Sequence, residues 1–184
     1  MRIVGGELKG RGLVGPSSAA IRPTSDRLRE TIFDILAHGY GDPVTGARVL
    51  DLFAGSGAMA IEAVSRGARY ALMVDTSAEA LALGRANRDK LGLSDRAGLL
   101  RRDATRIGAR PAGEPFDLAF LDPPYGKGLV GPALGSLRDG HWLASGALVV
   151  VEEAKGAEIV LPGGFGRIEA RTRADTQVVF LRAE

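Results

Sequence analysis

Four residues, Asp122-Pro123-Pro124-Tyr125, follow the apolar run from Phe116 to Leu121 and precede Gly126. This order predicts a stiff loop at the end of a buried strand. The loop offers a carboxylate, a carbonyl next to a residue without an N–H, and an aromatic face. Those groups suit a planar base with an exocyclic amine. Such an amine is a poor nucleophile, because its lone pair is delocalised into the ring. Acceptors aimed at its N–H groups favour the tetrahedral nitrogen that methyl transfer requires and stabilise the positive charge that develops. Asp122 Oδ and the Pro123 carbonyl are candidate acceptors, and Pro123 and Pro124 restrict the loop so that they arrive preorganised. Tyr125 can stack on the base, a contact worth about 1–3 kcal/mol, which helps offset the cost of unstacking a target. Asp122, Pro123, Pro124 and Tyr125 are therefore the candidate catalytic residues. A Pro-Pro-Tyr run also serves as a polyproline II docking motif or a plain turn, but neither use explains a buried strand that delivers an Asp.

A second loop, Asp51-Leu52-Phe53-Ala54-Gly55-Ser56-Gly57, joins an apolar strand to a helix. With Ala60, and with Asp75 following Gly55, it formally matches a dinucleotide fingerprint. Charge argues otherwise. A pyrophosphate wants N–H groups and positive charge at this turn, whereas the strand ends in Asp51 and residues 51–60 contain no Lys or Arg. S-adenosylmethionine (SAM) brings the opposite sign, in a sulfonium and an ammonium. Asp75, after the next strand, suits a ribose diol. Asp103-Ala104, after the third, would lie at an adenine edge, although Asp103 reads almost as well as a helix cap before Thr105. The candidate cofactor residues are Asp51, Phe53, Ala54, Gly55, Ser56, Gly57, Asp75, Thr76, Asp103 and Ala104.

The elements that must position these loops follow from hydrophobic period. Residues 2–5 and 11–14 read as a β-hairpin and Pro16 to Ala20 as a loop. Thr24, Ser25 or Asp26 can cap a helix that runs through residue 37. Gly39 to Gly46 reads as a hinge, dividing a 1–40 extension from a 41–184 main domain. Strands are expected at Arg48–Phe53, Tyr70–Val74, Gly98–Arg101, Phe116–Leu121 and Ala147–Glu152. Helices are expected at Gly57–Arg66, Ala78–Leu91 and Gly128–Leu137. Phe165–Arg173 and Thr176–Leu181 close the chain as a tight pair. Apolar strands alternating with helices imply an α/β, Rossmann-like, mostly parallel sheet covered on both faces, with one antiparallel strand.

Composition bounds the rest. The 184 residues are 45% hydrophobic, which excludes a disordered chain. No apolar run approaches a membrane span, and the start has no signal-peptide core. With no cysteine and only His38 and His141 as histidines, neither disulfides nor a metal site are expected. A reducing cytoplasm and a monomer are the expected setting. Net charge is only +2, but residues 1–30 carry six Arg and Lys against three acids, or +3.

Arg22-Pro-Thr-Ser-Asp-Arg-Leu-Arg-Glu30, Asp51 to Gly57 and Asp122 to Tyr125 occur in order, after Met1-Arg-Ile-Val-Gly-Gly6 and Leu8-Lys-Gly-Arg11. Over nearly its whole length the chain resembles the RsmD family, the guanine-N2 methyltransferases of small-subunit ribosomal RNA. The resemblance implies a seven-stranded SAM-dependent methyltransferase fold with a small N-terminal extension. It implies a 16S rRNA guanosine as acceptor, within a partly or fully assembled small subunit. It also implies that Arg22, Thr24, Arg27 and Arg29 face the RNA and the pocket mouth, and that Arg2, Lys9 and Arg11 touch phosphates, which position without reading sequence. The chain departs from the family in having Asp75 where Glu is frequent. It also has Ala174 where a Tyr-Gly pair is frequent, and Ala disfavours the left-handed backbone of a tight turn. Rival readings are an adenine-N6 DNA methyltransferase, a protein-glutamine methyltransferase, and a non-catalytic rRNA-binding assembly factor.

Overall fold

The computed structural model describes residues 1–15 and 25–184. The loop expected over Pro16–Ala20 and the candidates Arg22 and Thr24 lie outside the described residues. In chain order the elements are α1 (Asp26–Gly39), β1 (Arg48–Leu52), α2 (Ala58–Ser65), β2 (Tyr70–Asp75), α3 (Ala78–Lys90), β3 (Ala97–Arg101), a short 3-10 turn (Ala104–Arg106), β4 (Phe116–Leu121), α4 (Val130–Asp139), β5 (Leu143–Ala154), β6 (Phe165–Arg173) and β7 (Thr176–Ala183). The strands form one sheet in the order β3-β2-β1-β4-β5-β7-β6. β1 to β5 pair in parallel, and β7 runs antiparallel to both β5 and β6.

Alternation along each strand divides its side chains between two faces. Val49, Leu118, Phe120, Val150 and Phe180 pack under the side bearing α1, α2 and α3. Leu50, Leu121, Val149, Val151 and Leu181 pack on the other side with α4. Strand order reverses between β1 and β4. That is where open α/β sheets leave a crevice at their carboxyl edge, and it is where both candidate loops emerge.

Helix α1 begins as expected, with Ser25 Oγ accepting from Leu28 N at 3.1 Å. Its Ile32, Phe33 and Leu36 share the core of the sheet. Phe33 meets Phe120 at 5.5 Å between ring centroids, and Tyr40 stacks on Phe180 at 5.1 Å. The division expected at residue 40 therefore separates no second core. The expected leader hairpin is present in shortened form. Residues 1–14 form a ribbon with one bridge, Arg2 to Gly12, rather than two strands. Its arms are joined by backbone bonds, Ile3 N to Arg11 O at 3.0 Å, Gly10 N to Ile3 O at 2.8 Å and Leu13 N to Met1 O at 3.1 Å, and side chains of α1, α2 and α3 accept from Arg2, Val4, Leu8 and Val14 N–H.

Two strand boundaries move for backbone reasons. β1 stops at Leu52 because Phe53 turns left-handed, at φ 63°. β5 starts four residues before Ala147, and its first half carries Gly146 at φ 77° opposite a register shift in β4, the mark of a bulge. Ala174 adopts the left-handed turn despite its Cβ, at φ 49°. Such a conformation costs a non-glycine residue about 1–2 kcal/mol. Ala174→Gly is expected to raise unfolding free energy by about 0.5–1 kcal/mol, after the entropy of the added glycine is counted. A higher denaturant midpoint at unchanged slope would register it. Among the described residues no helix is long and apolar enough to cross a membrane.

Candidate active site

Four parallel neighbours, β3, β2, β1 and β4, end at one edge, so Asp103, Asp75, Asp51 and Asp122 arrive together. Leu52 is opposite Leu121 in the register, which places Phe53 opposite Asp122 one step beyond. Asp51 is buried, with its Oδ2 accepting from Ala60 N at 3.1 Å. Burial pushes its carboxyl up to about 8, and the charges of Asp122 and Asp75 push the same way against the hydrogen bond from Ala60. An acid so placed favours its protonated form, and a cation beside it would favour the charged one.

The glycine loop is folded by that edge. Asp75 accepts from Gly55 N at 3.0 Å and from Ser77 N at 2.9 Å, so it ties the loop to the end of β2. Each of its oxygens keeps a lone-pair direction for a further donor. Gly57 stands at φ 75°, and a Cβ there would meet Met73 Sδ at 2.4 Å. Phe53, left-handed at the entry of the loop, stores strain of the kind found at ligand sites. Ala54 and Ser56 lie within the same turn, Ala54 donating its N–H to Val74 O at 3.1 Å. Thr76 is exposed beside Asp75. Asp103 caps the 3-10 turn, accepting from Thr105 Oγ1 at 2.7 Å and Thr105 N at 2.9 Å. Those bonds, with Arg106 beside it, hold its carboxyl below its ordinary value. Ala104 is buried behind it.

The loop from Asp122 to Tyr125 is clamped from β5 and β7. Tyr125 donates to Glu152 Oε1 at 2.5 Å and lies 3.1 Å from Thr176 Oγ1. Burial and the bond to Glu152 push its phenol above the ordinary range. Glu153 Oε1 accepts from Gly126 N at 3.1 Å and Ala154 N at 2.8 Å. The loop's stiffness thus rests on two buried glutamates as well as two prolines. Tyr125→Phe keeps the ring and removes its anchor. We expect it to lose about 1 kcal/mol of stability and to raise KM for a nucleic-acid acceptor severalfold at unchanged cofactor affinity. Steady-state kinetics and calorimetry would separate the two effects.

The basic candidates divide. Arg2, Lys9, Arg11 and Arg27 are exposed. Arg29 is not, and its expected place at the RNA face is corrected. Its guanidinium is fully buried, 2.9 Å from Asp26 Oδ1 and 3.3 Å from Glu62 Oε2, and it donates to the Arg2 carbonyl. It is a rivet between α1, α2 and the leader. Glu62, also fully buried, accepts in addition from Val4 N at 2.9 Å and Arg66 Nε at 2.9 Å. A charge at full burial requires such partners.

Sequence reasoning missed Glu62, Asn87, Glu152 and Glu153. Glu62 interrupts an apolar helix, and Glu152-Glu153 end an apolar strand as Asp51 and Asp122 do; both were available signals. Asn87 gave none, since it sits in a polar helix. It is fully buried, donating from Nδ2 to Val14 O and to Ser56 O at 3.0 Å each and accepting at Oδ1 from Val14 N at 2.7 Å.

Comparison with known proteins agrees with this geometry. The profile of a family described as conserved hypothetical protein 95 matches residues 1–182. The ribosomal RNA small subunit methyltransferase D of Escherichia coli K12 is 37% identical over 158 residues, covering 83% of this chain and 74% of its own. The Haemophilus influenzae protein of the same name is 30% identical over 174 residues, covering 94% and 88%. The solved structure of Escherichia coli yhhF superposes with a TM-score of 0.83 at 29% identity, over 100% of this chain and 98% of that one.

Proposed function

The chain belongs to the family described as conserved hypothetical protein 95, and from that premise we propose that it is a SAM-dependent methyltransferase acting on the exocyclic N2 amine of a guanosine in 16S rRNA. The observation that carries the reading is the juxtaposition of the buried Asp51 with Asp122 on the next strand. One acid suits the donor's charge and the other the acceptor's amine. The similarity to the two methyltransferases named above supports rRNA as the acceptor.

The residues present fit SAM. Asp51 would pair with its positive charge, Asp75 would accept from its ribose, and Gly55 and Gly57 take the left-handed backbone that the tight turn between them needs. Phe53, Ala54, Ser56 and Thr76 would line the same turn, with Asp103 and Ala104 toward the adenine. When bound, SAM supplies an electrophilic methyl group on sulfur.

The chain's own groups do the remainder. The Asp122 carboxylate and the Pro123 carbonyl accept from the target amine and draw its lone pair out of the ring. Pro124 stiffens the turn. Tyr125, its hydroxyl held by Glu152 and Thr176, presents a ring that cannot swing away from the base. The proton that the nitrogen sheds leaves toward Asp122. Arg2, Lys9, Arg11 and Arg27, with Arg22 and Thr24, would meet the RNA as part of a 1–40 binding extension. The protein works as a monomer in the cytoplasm.

The test is incubation with labelled SAM and small subunits or free 16S rRNA lacking the modification, followed by mass spectrometry of the nucleosides. N2-methylguanosine is the expected product. Label in N6-methyladenosine would move the reading to adenine. Absence of transfer beside an active control would leave an assembly factor.

A further inference from the structure

The basic leader is not alone in facing the substrate. Three further cations, Lys127, Lys155 and Arg173, are exposed, and the fold brings them to the rim of the catalytic loop. Their placement follows from topology. β4 and β5 end at this edge, β6 runs out to it, and β7 starts from it.

Short links make the rim continuous. Lys127 follows Gly126, whose N–H is bound by Glu153 at 3.1 Å. Lys155 lies two residues beyond Glu153, and its backbone N–H donates to Asp175 O at 2.9 Å. Arg173 is paired with Thr176, which is 3.1 Å from the Tyr125 hydroxyl. The Arg173 guanidinium reaches across to donate to Thr31 Oγ1 on α1, and Thr31 donates in turn to the Arg27 carbonyl at 2.8 Å. Lys127 and Lys155 make no ion pair with another described residue. Asp175 within the turn is exposed, whereas Glu152 and Glu153 are buried and bound to Tyr125 and Gly126, so the cations dominate the outer charge of the rim.

We infer that Lys127, Lys155 and Arg173 continue the exposed cationic surface from Arg27 around the catalytic loop, as a seat for the phosphates that flank the methylated nucleotide. The inference rests on the rRNA reading and deepens it. A base turned into a pocket remains tethered to the phosphates on either side of it. Those phosphates must therefore arrive at the rim of the loop, whatever the rest of the RNA does. Cations there meet an obligatory partner, whereas an acidic protein surface would have no reason to converge on the loop that grips the base.

The experiment measures binding of unmodified 16S rRNA by the full chain across a salt series, with cofactor affinity taken in parallel. Lys127→Ala/Lys155→Ala, which removes no described side-chain contact, and the triple variant with Arg173→Ala are compared with Arg85→Ala. Arg85 is exposed on α3 two residues from Asn87, hence on the far side of that helix from the leader. Every phosphate that a variant no longer neutralises is expected to flatten the plot of log affinity against log salt by about 0.7–0.9. The double variant should flatten it by more than one such step and bind at least tenfold more weakly, with cofactor affinity and the Arg85→Ala slope at wild-type values. Lys→Arg replacements at 127 and 155 should restore both. A wild-type slope retained by the triple variant overturns the arc alone. The absence of salt-dependent rRNA binding by the wild type overturns the rRNA reading and the arc together.

Discussion

Asp122→Ala is expected to reduce methyl transfer by a hundredfold to a thousandfold while leaving the affinity for SAM close to wild type. The magnitude is that of removing one preorganised polar group from a transition state, about 2.7–4 kcal/mol. The selectivity follows from position. Asp122 stands after β4, on the acceptor side, while the glycine turn and Asp75 stand after β1 and β2. Asp122 and Asp51 do feel each other, since the charge of Asp122 raises the carboxyl of Asp51. Removing it lets Asp51 ionise more readily, so cofactor binding near neutral pH should hold or tighten slightly. Single-turnover rates with calorimetry on the same preparation would decide. Parallel losses of rate and cofactor affinity would place Asp122 with the donor instead of the acceptor amine.

Asp51→Asn should do the converse. Removing one partner of a buried charge pair costs about 2–5 kcal/mol, so cofactor affinity should drop from about thirtyfold to a few thousandfold. A pH signature accompanies it. With a folded value of about 8, Asp51 is mostly protonated near neutrality, and a cationic ligand must displace that proton. Wild-type affinity should therefore rise with pH, by at most tenfold per unit, and level off above about 8; the variant should show no such rise. Stability runs the other way. A carboxyl raised on folding binds more protons in the folded chain than in the unfolded one between about 4 and 8. Its stabilising contribution is complete below about 4 and lost as pH climbs through the folded value. A rise from 3.8 to about 8 corresponds to about 5–6 kcal/mol across that window. Asn, with nothing to ionise, should flatten the dependence. Denaturation of the free protein at pH 5 and pH 8 would show this, and an identical slope in the variant would refute the assignment.

Much of this site is legible in the residues alone, and the reasons are local. Asp51 and Asp122 end apolar runs, and strands of a parallel sheet all deliver their ends to one edge. The rest depends on contacts far apart in the chain. Arg29 looks like its neighbour Arg27 in a helix heptad, yet one faces water and the other lies inside. The difference is Glu62, thirty-three residues away and itself hidden in an apolar helix. Phe53 and Ala174 take left-handed backbone that their residue types oppose, because packing on either side outweighs a local preference of about 1–2 kcal/mol. The leader pairs its arms through Ile3, Gly10 and Leu13 N–H, while Val4, Leu8 and Val14 N–H turn instead to Glu62, Ser65 and Asn87, acceptors that no local pattern announces.

Asn87 bears on the order in which the molecule folds. One amide holds both the end of the leader, at Val14, and the carbonyl of Ser56 in the glycine loop. The side chain that seats the leader lies 73 residues along the chain from Val14. Contacts of such separation form late, after the loop they close has been drawn in. The leader is thus among the last segments to settle. The glycine turn is buttressed fully only when the leader returns to it.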